Sequence, residues 1–163
     1  MGERERTFEA FYEDEYAAVV RSLTLALRDE SLAEEAAQEA FIRAFVYWRR
    51  VGRMDRPAGW VYVVAIRVAS RRRRRREPEA VVVVDGPFAD VVVDRESLRV
   101  AIEQLPERQR MAVVLRYVAD CSLAEVASAM GCAVGTAKST LHAALTRLGA
   151  ELTPDIEEVH DAH

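Results

Sequence analysis

Apolar residues recur at helical spacing through most of this chain. Phe8, Phe11, Tyr12, Tyr16, Val19, Val20, Leu23 and Leu27 lie at i, i+3 and i+4 offsets and predict an amphipathic helix from Phe8 to about Leu27. Ser31-Leu32-Ala33-Glu34 is a capping-box pattern. It predicts a second helix to about Trp48, with Leu32, Ala36, Ala40, Phe41, Ala44, Phe45 and Trp48 as its apolar face. Arg49 to Gly59, with Gly52, Pro57 and Gly59, reads as a basic loop, and Trp60 to Ala69 as an apolar helix running into Arg71–Arg76. Glu77 to Glu96 breaks the pattern with Pro78, Gly86, Pro87 and acidic residues. Its valine runs, Val81–Val84 and Val91–Val93, read either as short strands or as part of a linker. Helical spacing resumes at Ser97–Gln104, and Pro106 suits the first turn of a following helix.

Residues 105–149 carry the most specific pattern. Ser122-Leu123-Ala124-Glu125 is a second capping box, and Leu123, Val126, Ala127 and Met130 follow at helical spacing. Gly131 stands where a C-terminal cap needs positive φ. A turn, Gly131-Cys132-Ala133, leads to a helix from about Val134 to Leu148, with Val134, Ala137, Leu141, Leu145 and Leu148 as its buried stripe. A short helix, a tight glycine turn and a longer helix make a helix-turn-helix, whose second helix enters the DNA major groove. The opposite face of that helix carries Thr136, Lys138, Ser139, Thr140, His142 and Arg147. An antiparallel helical hairpin without DNA contact is the plainer alternative.

Composition and charge refine the picture. The 163 residues allow one ordinary domain or two small ones. No basic start followed by an apolar stretch suggests a secretory signal, and no apolar run approaches the ~20 residues needed to cross a bilayer. A cytoplasmic protein is expected. Cys121 and Cys132, the only cysteines, read as reduced thiols rather than a disulfide, and they are too few for a zinc site. His160 and His163 end a polar tail, and no metal or cofactor is expected. The net charge of −4 conceals segregation: residues 1–48 are net −6, residues 49–76 net +10 and residues 77–163 net −8. The basic stretch is the electrostatic footprint of a polyanion site.

Trp48, Trp60 and Tyr62 lie among Arg49, Arg50, Arg53, Arg56 and Arg67. Aromatic faces stack on unpaired bases while guanidinium groups follow the phosphate backbone, so this segment suits melted nucleic acid as well as duplex. Core packing is the competing reading for both tryptophans, and a solvated helix end for Arg71–Arg76.

The segment AEEAAQEAFIRAF, a basic loop, a Trp-led helix ending in arginines, a linker and then LPERQR…VGTAKSTLHAALTRL closely resemble the extracytoplasmic-function (ECF) sigma factors of bacteria. The resemblance implies an all-α fold. Two small helical domains, 7–76 (region 2) and 97–150 (region 4, the helix-turn-helix), would be joined by a flexible linker, 77–96, with 151–163 a polar tail. It implies no enzymatic activity, and it implies binding to RNA polymerase core, at the β′ clamp and β flap, and to promoter DNA. An anti-sigma factor is a further expected partner; a membrane and a small-molecule substrate are not. Glu35, Gln38 and Glu39 match the helix that docks on the clamp. Arg49, Arg53, Arg56, Trp60, Arg67 and Arg71 match the part that opens and reads the −10 element. Gly135, Thr136, Lys138, Ser139, His142 and Arg147 match the helix that reads the −35 element.

The chain departs from the family at several positions. Glu35 replaces the usual Asp, Arg67 the usual Asn, and Thr140 and Ala143 stand where basic residues are frequent. Residues 105–148 carry only +2, so the −35 reader is expected to lean on the polymerase for affinity. Two other readings are a stand-alone helix-turn-helix repressor or activator with an N-terminal dimerisation domain, and a helical adaptor whose arginines bind RNA.

Overall fold

The computed structural model describes residues 6–75 and 95–149, and every regular element among them is a helix. The valine runs, most of the expected linker and the C-terminal tail with its histidines lie outside the described residues.

Helix α1 spans Phe8–Leu27, capped by Thr7, whose hydroxyl accepts from the Ala10 N–H at 3.2 Å. Helix α2 spans Glu30–Val46, and its cap is Asp29 rather than Ser31. The Asp29 carboxylate accepts from the Leu32 N–H at 3.0 Å, which places Ser31 inside the first turn. Two competent caps lie two positions apart, and the ionised one gains additionally from the positive end of the helix dipole. Tyr47 interrupts the helix, and Trp48–Val51 forms a short α3. Helix α4 runs from Pro57 to Arg75. The basic loop expected over Arg49–Gly59 therefore shrinks to residues 52–56. Arg49 and Arg50 sit on α3, Gly59 lies inside α4, and Pro57 opens α4 where its missing N–H costs nothing.

Helix α2 packs against both α1 and α4. Ala33, Ala36, Ala37, Ala40 and Ala44 are inaccessible along it, and these small side chains let both neighbours approach. Having two buried faces, α2 departs from the single apolar stripe expected. Ala33 and Ala37 join the core, while Phe45 is 59% exposed. Trp48 closes the bottom of the layer, its ring 5.6 Å from Phe8 and 5.1 Å from Phe11.

The C-terminal group comprises α5 (Arg95–Glu103), α6 (Glu107–Val113), a π-helical turn (Val114–Val118), α7 (Leu123–Met130) and α8 (Val134–Leu148). Helix α5 thus begins inside the expected linker, and Pro106 is the cap of α6 rather than a residue of its first turn. Both halves of the Ser122–Glu125 capping box form, at 3.1 and 2.9 Å, and Gly131 takes φ 65° at the end of α7. Ala137, Leu141, Ala144 and Leu145 are the buried face of α8. Val134, expected in that stripe, is 42% exposed because it opens the helix ahead of the first turn that meets the core.

The two helical groups are packed on each other. Helix α4 lies along α7, and α1 meets α6 and the π-helical turn, so one apolar core runs through both.

Candidate nucleic-acid interface

Helix α8 presents the face that the sequence predicts for base reading. Thr136, Ser139, His142 and Arg147 are exposed, Lys138 is half-exposed, and a Cβ at Gly135 would meet nothing. The Ser139 and Thr140 hydroxyls donate to the carbonyls of Gly135 and Thr136 at 3.0 and 2.9 Å, which holds them close to the helix surface. The Ala133 cap supplies no side-chain acceptor. The first N–H groups of this 15-residue helix therefore stay open to an anion such as a phosphate.

The predicted melting residues divide into two sets. Arg49, Arg53 and Arg71 are exposed. Arg56 and Arg67, though on the surface, are bonded to the helix-turn-helix. Arg56 donates to the carbonyl oxygens of Ala119 (2.9 Å) and Asp120 and reaches the Glu125 carboxylate at 3.3 Å. Arg67 donates to the Ser128 carbonyl at 3.2 Å and the Ser128 hydroxyl at 2.7 Å. Trp60 is half-buried against the core, as is Trp48, whose indole N–H donates to the Arg6 carbonyl at 3.2 Å. For both tryptophans packing accounts for most of the ring. In the arginine run, Arg72 bridges Glu35 and Glu39 at 2.7 Å each, and Arg73 bonds Glu107 and the Leu27 carbonyl. Arg71, Arg74 and Arg75 are exposed.

The candidate polymerase-docking face is built on α2. Gln38 is exposed, whereas Glu35 and Glu39 are half-buried in ion pairs with Arg72, and Glu39 also pairs with Arg43 at 2.6 Å. Partial burial raises the Glu39 pKa, but hydrogen bonds from Arg43 and Arg72 outweigh that and hold the carboxyl below its ordinary range. Beyond these acids lie Ile42 (63% exposed), Phe45, Val46 (66%) and Tyr47. Ile42, Phe45 and Val46 on the last turns of α2 and Tyr47 at its cap leave four large apolar side chains exposed close together.

The comparisons with known proteins fit this geometry. Residues 11–79 match the Sigma-70 region 2 family and residues 95–148 match Sigma-70, region 4. The chain is 32% identical to the RNA polymerase sigma-E factor of Streptomyces avermitilis, covering 89% of this chain and 84% of the relative. It is 31% identical to the ECF RNA polymerase sigma factor SigL of Mycobacterium tuberculosis, covering 83% of each. It belongs to the ECF sigma factors. Among solved structures it resembles the sigma factor RpoE in its complex with the anti-sigma factor NepR from Bartonella quintana. That likeness has a TM-score of 0.62 at 22% identity, over 86% of this chain and 93% of that one, and shows a shared fold.

ECF sigma factors bind RNA polymerase core and direct promoter-specific initiation, and this sigma factor carries both regions that do so. They are initiation factors rather than enzymes in themselves. Among the described residues no group of three metal-binding side chains assembles, and no helix is long and apolar enough to cross a membrane. Cys121 and Cys132 are free thiols, the first buried and the second half-buried. Burial, reinforced by the nearby Glu125 carboxylate, pushes the Cys121 thiol up to about 12. Sequence reasoning missed Arg110, which is 6% exposed and bonds the Ala26 and Leu105 carbonyls at 2.7 and 2.9 Å. Arg110 stands four residues before the buried Val114 and so shares its face, but an arginine is seldom read as a core residue. It also missed the second role of Glu125, which caps α7 and receives Arg56 at once. Nothing in spacing signals a partner 69 residues away.

Proposed function

We propose that this chain contacts promoter DNA and polymerase through three residue sets. Gly135, Thr136, Lys138, Ser139, His142 and Arg147 read the −35 element from the major groove. Arg49, Arg53, Arg56, Trp60, Arg67 and Arg71 engage the melted −10 strand, the arginines on phosphates and Trp60 beside a base. Gln38, with Glu35 and Glu39, docks on the β′ clamp, and the exposed Ile42, Phe45, Val46 and Tyr47 extend that surface. Region 4 meets the β flap. The domain limits follow the same division: 7–76, a linker that ends before α5 at Arg95, the region 4 group to about 150, and a tail. The observation that carries the reading is the split face of α8, with Ala137, Leu141, Ala144 and Leu145 buried and the small polar and cationic residues outward. Small side chains at the start of the helix allow the close approach that base readout requires. The factor works in the cytoplasm beside the polymerase. An anti-sigma factor that restrains it is supported by the structural neighbour, which was captured with one.

Run-off transcription on genomic fragments, with purified core polymerase and with or without this protein, tests the reading. Initiation from a small set of promoters only when the protein is present is the expected result. A palindromic operator footprinted with high affinity by the protein alone, with no new transcripts, would replace it with a stand-alone repressor.

A further inference from the structure

The arginine run at the end of α4 divides by helical phase. Arg71, Arg74 and Arg75 share the exposed side, Arg73 turns to Glu107, and Arg72 reaches across to α2. There its guanidinium straddles two carboxylates one helical turn apart. Nη1 donates to Glu35 Oε2 and Nη2 to Glu39 Oε2, at 2.7 Å each. The second Glu39 oxygen, Oε1, accepts from Arg43 at 2.6 Å. Arg72 and both glutamates are half-buried, and the helices that carry them pack on each other with Ala36, Ala40, Ala65 and Ala69 inaccessible. The backbone under Arg72 is therefore fixed relative to α2. Two bare carboxylates at i and i+4 repel one another. A free glutamate also samples many rotamers, and fixing each one on binding costs affinity. Glu35, with one methylene more than the usual Asp, has the longer arm to fix.

We propose that Arg72 is the positioning residue of the polymerase-docking face. By bridging Glu35 and Glu39 it cancels their repulsion and holds both carboxylates in one posture, so the clamp meets a rigid pair rather than two mobile arms. A carboxylate offers about four acceptor positions, and Glu39 uses two in these bonds, so the bridge orients the acid without filling it. Arg72 thus serves polymerase binding, while Arg71, Arg74 and Arg75 beside it stay turned to solvent. The inference rests on the clamp-docking role given above to Glu35 and Glu39.

Fluorescence anisotropy of the labelled full-length protein, titrated with purified core polymerase, tests this through a double-mutant cycle. Arg72→Gln should weaken association by about tenfold, the scale of immobilising two glutamate side chains. Its Tm should stay within about 4 °C of the unsubstituted protein, since partly exposed ion pairs contribute little to stability. In a chain that also carries Glu35→Gln and Glu39→Gln, the same change should have no further effect. Arg72→Lys keeps the charge but cannot fork across two carboxylates, and should recover only part of the affinity. Tighter binding by Arg72→Gln would make Arg72 a competitor of the clamp and overturn the proposal. An equal loss with both acids absent, or full recovery with lysine, would overturn it too. Unchanged affinity in Arg72→Gln, while the Glu35→Gln, Glu39→Gln pair binds weakly, removes the positioning role and leaves the docking role standing. If that pair instead binds core as well as the unsubstituted protein does, the docking role of the acids fails and the positioning role falls with it.

Discussion

Arg110 of α6 donates to the carbonyl oxygen of Ala26, 84 residues earlier, at 2.7 Å on the last turn of α1. A second bond, 2.9 Å to Leu105, fills the other side of the guanidinium. Burial, with repulsion from Arg28 next, brings its pKa down to about 10, so at neutral pH the group stays charged and anchors the C-terminal, negative end of the α1 dipole. Replacement by Ala orphans two carbonyls and leaves a cavity, and should lower unfolding free energy by about 3 kcal/mol. Urea denaturation followed by circular dichroism measures it. Arg147→Ala, on the exposed face of α8, should stay within about 0.5 kcal/mol of the unsubstituted protein.

The Cys121 thiol gives stability a pH dependence with a definite sign. Its pKa rises from an ordinary 9.0 to about 12 on folding, so the folded state holds the proton more tightly than the unfolded chain. The resulting stability is complete below pH 9 and is lost as pH climbs through the window up to about 12. Each unit within that window should cost at most about 1.4 kcal/mol. Arg110 acts in the opposite sense but only above about 10. The buried Tyr62 and partly buried Tyr117 hydroxyls, also pushed up from an ordinary 10.0, act in the same sense as the thiol only as pH nears 10, so the thiol leads the change between pH 9 and 10. Thermal unfolding at pH 8 and pH 10 should show a fall in Tm that Cys121→Ala largely removes. An equal fall in both proteins would assign the loss to other groups.

On α2, Ile42 is 63% exposed and bears no packing load. Ile42→Asp should leave Tm unchanged and weaken association with core polymerase by about tenfold or more, the effect of a charge placed in the apolar centre of an interface. Fluorescence anisotropy of labelled protein titrated with core decides it. Charge reversal of Glu35 and Glu39 is a poorer probe, because it also breaks both bridges to Arg72.

Salt dependence distinguishes the arginines at the end of α4. Changing Arg71, Arg74 and Arg75 to Gln should reduce the slope of log affinity against log salt by about 0.7–0.9 for each phosphate that is no longer neutralised. Arg72→Gln should leave the slope alone, since its N–H groups already serve Glu35 and Glu39. Equal slopes in all four variants would mean that this helix end meets no phosphate.

The two reading surfaces should separate genetically. Lys138→Ala or His142→Ala should relax preference at −35 positions by about 1–3 kcal/mol for each base read and spare the −10 preference. Arg49→Ala or Arg53→Ala should impair melting while −35 selection survives. A promoter-library transcription assay reads both, and altered −10 preference in the Lys138 or His142 variants would reverse the assignment.

Local grammar in the sequence predicted the elements well where one signal stood alone. Helix α1, the Ser122–Glu125 box and the Gly131 turn appear where their residues place them. Where two signals competed, the sequence was ambiguous: Asp29 and Ser31 are both competent caps, and Pro57 marks a turn as readily as a first helical turn. Partners were least legible. The +10 stretch announced a polyanion site, yet Arg56, Arg67, Arg72 and Arg73 find their oxygens inside the chain. Charge density records how many cations a segment holds and is silent about which acceptors the fold brings to them. Trp48 was legible as an apolar-face residue, but the same limit hid its partners Phe8 and Phe11, which lie some 40 residues away in sequence.

The π-helical turn at Val114–Val118 has a consequence for how this segment can change over time. Such a turn is an α-helix carrying one extra residue. Deleting a single residue there would restore regular hydrogen bonding, and would rotate everything downstream by about 100°. Ala119, Asp120 and Cys121 would swing off the surface of α4, and the left-handed Asp120 (φ 55°) would no longer close the segment. Substitutions among these aliphatic positions cost only packing, but the count of residues sets the bearing of the whole helix-turn-helix. Length is therefore constrained here more strictly than side-chain identity.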